Sequence, residues 1–263
     1  MIQSRVLYTA TNLHPISRLH YAWTGWPTEG TLLPPLPDLD ALTAAWRTDG
    51  FRLLAHDANA ARIMLTFDAD ANVAPTLLAQ RVKGRLNNAL RLAGTPATFS
   101  RKVSIRTLGE NVSEVVEDYL RDQLIRVDLV DDRYRQLLAD AAFEDSCVSL
   151  AEPAETGSGR YWNNLHVVLV TADRYRVGRP DVVHGIRDRA RETGLAFNAI
   201  AVMPDHLHAA LRPSPDMTPV DVGIALQNAT AKAAGCRLWQ YGFYIGTFSD
   251  YSLDVVRQRA QLR

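Results

Sequence analysis

The sequence predicts an α+β fold in which one pattern of strands and helices is used twice, and three observations predict it. Strands and helices interleave along the 263 residues instead of segregating into blocks. Short matches recur in the same order at a spacing close to 140 residues. Two helical segments at equivalent places are each followed by a glycine, Gly50 or Gly194, the residue that suits the left-handed turn closing a helix.

Taken in order, the first half opens on an apolar run at Leu19 (LHYAW). A helix is expected over 38–49, then strands in FRLLAHD and ARIMLTF, a helix over 75–93, a strand in KVSIRTL and a last helix from 111. The second half repeats this with a run from Leu165 (LHVVLV) and a helix over 181–193. Strands in LAFNAIAVM and HLHAAL follow, then a helix over 219–234, a strand in GFYIGTF and a last helix from 251. The matches that tie the halves together are Thr107 with Thr247, Glu114 with Asp254, and Val115-Val116 with Val255-Val256. Phe99 and Trp239 each stand eight residues before the matching threonine. Leu19-His20 matches Leu165-His166, and Pro37-Asp38 matches Pro180-Asp181. Several matches in one order make a duplication the simplest account. The division is 1–123, an acidic linker over 124–160 containing AEPAETGSGR, and 161–263. Each half is expected to be an antiparallel or mixed sheet with helices on its faces.

Composition narrows the function classes. The chain is 47% hydrophobic and 22% charged, enough apolar content for a core, so disorder as the dominant state is excluded. Cys147 and Cys236 form no CxxC pair, which rules out a disulfide scaffold or a four-cysteine zinc site. No apolar run reaches the ~18 residues of a membrane helix, and the first residues lack a signal-peptide core, so a cytoplasmic protein without membrane association is expected. Lys and Arg balance Asp and Glu at 29 each, which argues mildly against a nucleic-acid partner. The average hides a local field: residues 74–106 hold seven cations and no acid. A solvated helix face explains that run as well as a polyanion site does.

His206 and His208 stand in Met-Pro-Asp-His-Leu-His-Ala-Ala-Leu. On a strand, residues two apart share a face, so the two imidazoles point the same way and Leu207 points into the core. An isolated pair of this kind is more often structural than metal-binding. Zinc would want further His or Cys ligands nearby, and there are none. Two imidazoles with oxygen ligands suit Mg²⁺ or Mn²⁺, the latter taking imidazole more readily.

The run MPDHLH, an apolar strand, a helix and then W-x-x-G-F-Y-x-G-T resembles the HUH single-tyrosine transposases of bacterial insertion sequences and their REP-associated relatives. The similarity spans most of both halves and is strongest at 199–211, 239–247 and 105–123. It implies two tandem ferredoxin-like, HUH-type halves forming an intrachain pseudo-dimer. It also implies cleavage of single-stranded DNA through a covalent 5′-phosphotyrosine with one divalent ion.

The halves depart from the family in opposite ways. In the second, the tyrosine position is Arg259 and the glutamine position is Arg263. In the first, Tyr119 and Gln123 are intact, but the histidine strand reads Asn59-Ala-Ala-Arg-Ile-Met64. Each half keeps what the other lost. The resemblance therefore implies one composite site, with Tyr119 as nucleophile and His206, His208 and Gln123 holding Mg²⁺ or Mn²⁺. Tyr119 and Gln123 are four apart, hence on one helix face. A phenol, with a pKa ~10, is a weak nucleophile until a cation or base favours the phenolate. Asp205 is placed to orient an imidazole, though an ordinary turn role fits equally. Lys83 and Arg85, with Arg81, resemble the family's basic helix and would track a DNA backbone. Trp239 and Tyr241, with Phe243 and Tyr244, are candidates to stack unpaired bases, and half of these four are expected to be core, since they alternate on a strand. His20 and His166 are expected to be structural, or at most DNA contacts.

The expected function is a metal-dependent single-stranded DNA endonuclease and strand transferase, acting in transposition or recombination on hairpin-containing DNA. Further homodimerisation would give two sites. Two rivals remain: a domesticated DNA-binding protein without chemistry, and an unrelated metal hydrolase that would not need Tyr119.

Overall fold

The computed structural model describes residues 6–109, 112–123, 131–173 and 180–250. The chain opens with β1 (His14–Arg18) and β2 (His20–Gly25), then α1 (Asp40–Thr48), β3 (Phe51–Asn59), β4 (Arg62–Ala69), α2 (Pro75–Leu92) and β5 (Val103–Leu108). Next come α3 (Ser113–Arg121), α4 (Asp132–Ala141) and three short strands, β6 (Phe143–Glu144), β7 (Ala154–Glu155) and β8 (Gly159–Trp162). The pattern then restarts with β9 (Leu165–Thr171), α5 (Pro180–Arg191), β10 (Ala196–Val202), β11 (His206–Arg212), α6 (Pro219–Ala234) and β12 (Trp239–Thr247). The expected helix from 251, with Asp254, Val255, Val256, Arg259 and Arg263, lies outside the described residues.

Local chemistry explains these elements. α2 carries Leu78, Val82, Leu86 and Leu90 at every fourth position, all fully buried, so one stripe faces its sheet. α6 starts at Pro219 behind a capping box in which Thr218 and Asp221 satisfy each other's backbone N–H. Gly50 and Gly194 have φ of 87° and 72° and close α1 and α5 as expected.

β2 to β5 form an antiparallel set in the order β3-β4-β2-β5. β9 to β12 form another in the matching order β10-β11-β9-β12. Each set is then extended by a strand from across the chain. β1 pairs in parallel with β12, and β8 pairs in parallel with β5. The strand leading into each half thus lies in the sheet of the other, and each sheet ends with six strands and mixed pairing. Packing volumes are balanced between equivalent contacts. A side chain at Gly223 of α6 would run into the Phe243 ring, and the corresponding pair on α2 and β5 is Ala79 and Val103.

The sets meet through a reciprocal hydrogen-bond network. Thr107 Oγ1 donates to the Phe248 carbonyl at 2.9 Å, and Thr247 Oγ1 donates to the Leu108 carbonyl at 2.6 Å. The backbone N–H of Asn164 donates to the Thr107 hydroxyl, and that of His20 to the Thr247 hydroxyl. Residue i meeting j while j meets i is the signature of a two-fold contact. This fixes the correspondence of residues and corrects one expectation. Thr107 pairs with Tyr21 and Thr247 with Leu165, so His166 answers to Ala22 and not to His20. The shared Leu-His dipeptide suggested otherwise, but strand register decides which residues are equivalent.

The acidic stretch expected to be a linker carries structure from 131 onward. α4 buries Leu138 and Ala141, β6 pairs with β10, and β7 pairs with β8. Strands of two to four residues that cap a sheet edge are too short to leave a readable period. No described helix is long and apolar enough to cross a membrane.

Candidate active site

α3 follows the first strand set in sequence yet packs on the second in space. Its Val116 and Leu120 are buried in a cluster with Leu150, Ala210 and Phe248, against β10 and β11. That face of β11 carries His206 and His208, while Leu207 is fully buried on the opposite one. The helix therefore brings Tyr119 to the histidines. Its ring centroid is 5.3 Å from that of His208, edge to face at 87°, and 6.4 Å from that of His166. His206 and His208 are 4.7 Å apart, centroid to centroid.

Both histidines have one ring nitrogen committed. His206 Nδ1 donates to Asp205 Oδ1 at 2.6 Å, which in the neutral ring leaves the lone pair on Nε2. His208 Nδ1 shares a proton with His166 Nε2 at 3.1 Å, and the two rings stack 15° from parallel. The sequence marked His166 as structural, or at most a DNA contact, without placing it at this site. It comes from β9, and only the pairing of β9 with β11 puts it beside His208. A small recess of about 30 Å³ next to it is lined by Arg18, His20, Tyr244 and Thr247. The lead strand β1 thus also reaches this site.

Burial keeps both stacked imidazoles neutral. Desolvation lowers His166 to about 4 and His208 to about 3, with the neighbouring His166 and His206 adding to the effect at His208. The unfolded chain titrates near 6.5, so it binds protons that the folded chain refuses. Stability is therefore fully present above pH 6.5 and falls as the pH drops toward 4, by at most about 1.4 kcal/mol per pH unit for each group. His208→Gln should flatten this slope between pH 7 and 5, measured by urea unfolding at each pH. Equal slopes in the two proteins would show that these rings do not govern acid sensitivity.

The donor set can be tested against a divalent ion. Among the described residues no cluster of three or more His, Cys, Asp or Glu is placed to hold a metal. What is present is a pair of imidazoles on one face, one of them oriented by a carboxylate, the arrangement that prepares a histidine as a ligand. With the shared proton on His208 Nδ1, both Nε2 atoms carry lone pairs. The residues fit an ion that takes its remaining ligands from oxygen. Gln123 is buried just beyond the end of α3, and its Nε2 donates to the Tyr119 carbonyl at 3.1 Å. No hydrogen bond among the described residues joins it to either histidine.

The expected DNA contacts divide. Arg81 is exposed. Arg85 is held by Asp49 through two hydrogen bonds of 2.5 and 2.8 Å, which keep that carboxyl below its usual range. Lys83 Nζ donates to the carbonyls of Ser100 and Arg101. Trp239 is a correction: it is fully buried, and its indole N–H donates to Thr230 Oγ1 at 2.7 Å, so no base can stack on it. It belongs to the half of the strand's aromatics that alternation assigns to the core. A register shift between Trp239 and Phe243 and the cover of Tyr8 turn it into core. Tyr241 is half-buried, edge-on to Tyr8 at 6.0 Å, with the Arg237 guanidinium 5.0 Å from its ring centroid.

No protein-family model and no curated protein matches this chain. Among solved structures, a candidate transposase from Deinococcus radiodurans R1, determined at 1.90 Å, is similar at 24% identity, with a TM-score of 0.29. The match covers 38% of this chain and 88% of that one. A likeness this slight carries no argument about what the chain does.

Proposed function

We propose that the protein is a metal-dependent, HUH-type nicking and joining enzyme for single-stranded, hairpin-containing DNA, a transposase or its descendant. It works at one composite site inside a fused pair of ferredoxin-like halves, 1–123 and 161–263. The observation that carries this reading is the approach of the Tyr119 ring to 5.3 Å from His208, across 89 residues of sequence. The exchange of lead strands and the reciprocal threonine bonds support a pseudo-dimer whose tyrosine helix serves the opposite sheet.

In this reading the Tyr119 oxygen attacks a backbone phosphorus. The O–P bond to tyrosine forms, the P–O3′ bond breaks, the phenol loses its proton and the departing 3′ oxygen gains one. The 5′ phosphate stays on Tyr119 with the energy of the diester retained, so a 3′-OH can reverse the step. His206 and His208, through Nε2, and the Gln123 side-chain oxygen would hold Mg²⁺ or Mn²⁺, which supplies polarisation of a phosphate oxygen. Asp205 fixes the His206 ring, His166 seats the His208 ring, and Val116 and Leu120 anchor the helix that aims the phenol. Asp205→Asn should raise the Mn²⁺ concentration needed for half-maximal activity by about 10–100-fold without moving thermal stability by more than a few degrees; an unchanged requirement would remove Asp205 from the site.

The test is direct. Labelled hairpin-bearing single strands are incubated with the protein and Mn²⁺ and run on a denaturing gel. A protein–DNA adduct is expected. Binding without an adduct across a broad set of hairpins would favour the alternative, a domesticated DNA-binding protein that has lost its chemistry. One observation speaks for that alternative: the Gln123 amide is turned back onto its own helix.

A further inference from the structure

The two strand sets place equivalent helices, α2 and α6, each beginning at a proline, Pro75 or Pro219. Position 84 therefore answers to 228, 87 to 231, 80 to 224 and 83 to 227. The strand match of Thr107 with Thr247 makes 101 answer to 241. The grooves beside these helices have different fates. On α6 the groove is filled by the chain's own first segment. Asn228 Oδ1 accepts from the N–H groups of Leu7 and Tyr8, and its Nδ2 donates to the Tyr8 carbonyl at 2.7 Å. Tyr8 is fully buried there, and its hydroxyl bonds the backbone of Trp239 on both sides. On α2 the equivalent groove is open, a cavity of about 740 Å³.

The open groove is also chemically distinct. Where the filled one has Ile224, Ala231 and Tyr241, the open one has Gln80, Asn87 and Arg101, and Gln227 is replaced by Lys83. Every one of these differences adds polarity or positive charge. At the position of Asn228 stands Gly84, where an added Cβ would meet no atom within 4 Å. Asn87 lines the cavity, and among the described residues its Oδ1 has no hydrogen-bond partner, so a small turn of the amide would offer it to a donor. Lys83 is partly desolvated and tied to two carbonyls, so its charge is fixed at the wall. Asp216 contributes a single carboxylate to the same lining. A peptide segment like the one on α6 would leave the cations without a counter-charge. A ligand with an anion at one end and N–H donors at the other satisfies both.

We infer that the groove between α2 and β5 binds one nucleotide unit, with its phosphate against Lys83 and Arg101 and its base edge against Asn87 and Gln80. The volume lies inside the ~300–1,000 Å³ range of small-molecule sites. The inference rests on the DNA reading for its preferred source, a nucleotide within a single strand; a free mononucleotide presents the same chemistry.

Gly84→Leu puts a bulky side chain into the groove at a helix position where an added Cβ meets no atom, and leucine is the better helix former; thermal unfolding of the variant verifies the fold. Binding is measured on the full chain by fluorescence anisotropy with a labelled single-stranded oligodeoxynucleotide, and by calorimetry with the four deoxynucleoside monophosphates at about 1 mM. Gly84→Leu should weaken oligonucleotide binding roughly tenfold or more. Arg101→Ala should weaken it with a salt dependence shallower by about one ion. Loss confined to the oligonucleotide identifies the strand as the source; mononucleotide binding that disappears in Gly84→Leu identifies the free nucleotide. Affinities unchanged by Gly84→Leu, or no binding of either probe to the unaltered protein, would overturn the inference. The adduct assay reads separately: an adduct with unaltered Gly84→Leu binding ends the groove proposal alone, and groove-dependent binding with no adduct ends the catalytic one alone.

Discussion

Tyr119→Phe should abolish the covalent DNA adduct altogether while leaving DNA affinity within about twofold and the fold intact. The substitution removes one oxygen and keeps the ring that packs edge-on to His208 and completes the cluster around Val116 and Leu120. A structural tyrosine would lose little on this change, and a nucleophile loses everything, because phenylalanine has no oxygen to form the bond to phosphorus. Strand cleavage that survives in Tyr119→Phe would transfer the chemistry to water and favour a metal hydrolase. The choice of phenylalanine over alanine matters here. Alanine would leave a cavity beside Leu150 and Phe248, and a loss of activity could then reflect displacement of the helix.

The second large effect concerns which chain supplies which group. His208→Ala should be as inactive as Tyr119→Phe, and an equimolar mixture of the two should remain inactive. Tyr119 reaches His208 within one chain, on a helix held by Val116 and Leu120 against strands of that same chain. Two chains with complementary lesions therefore cannot rebuild a site without unpacking that helix. Recovery of the adduct in the mixture would show that the helix is exchanged between copies, and the intrachain site would fall. Size measurement of each variant accompanies the assay, so that loss of assembly is not mistaken for loss of chemistry.

Much of the fold was legible because its causes are local. The fourfold spacing of Leu78, Val82, Leu86 and Leu90 announces a helix with one buried face, and the structure places it over Pro75–Leu92. The alternation in HLHAAL announces a strand with both histidines on one side. The site was legible in part for another reason: Tyr119 and the histidine pair sit in halves that each lack the other's group, so the deficits pointed to one another. His166 was legible as a structural histidine, but its partner was not. Its role depends on β9 lying next to β11, and nothing within LHVVLV says which strand will be its neighbour. Which of the β12 aromatics would be core was hidden for the same reason, since alternation gives a face but not what covers it, and Tyr8 comes from more than two hundred residues away.

The sequence by itself determined the repeated run of strands and helices, the glycine turns that close α1 and α5, and the shared face of His206 and His208. These follow from short-range rules: rotamer and backbone preferences, a period of two or 3.6, and a cap at each helix end. The tertiary structure alone decided that β1 and β8 would change sheets and that one of two equivalent grooves would be filled while the other stayed open. Those choices depend on which distant surfaces bury each other at least cost. That is a property of the packed whole, and no window of sequence contains it.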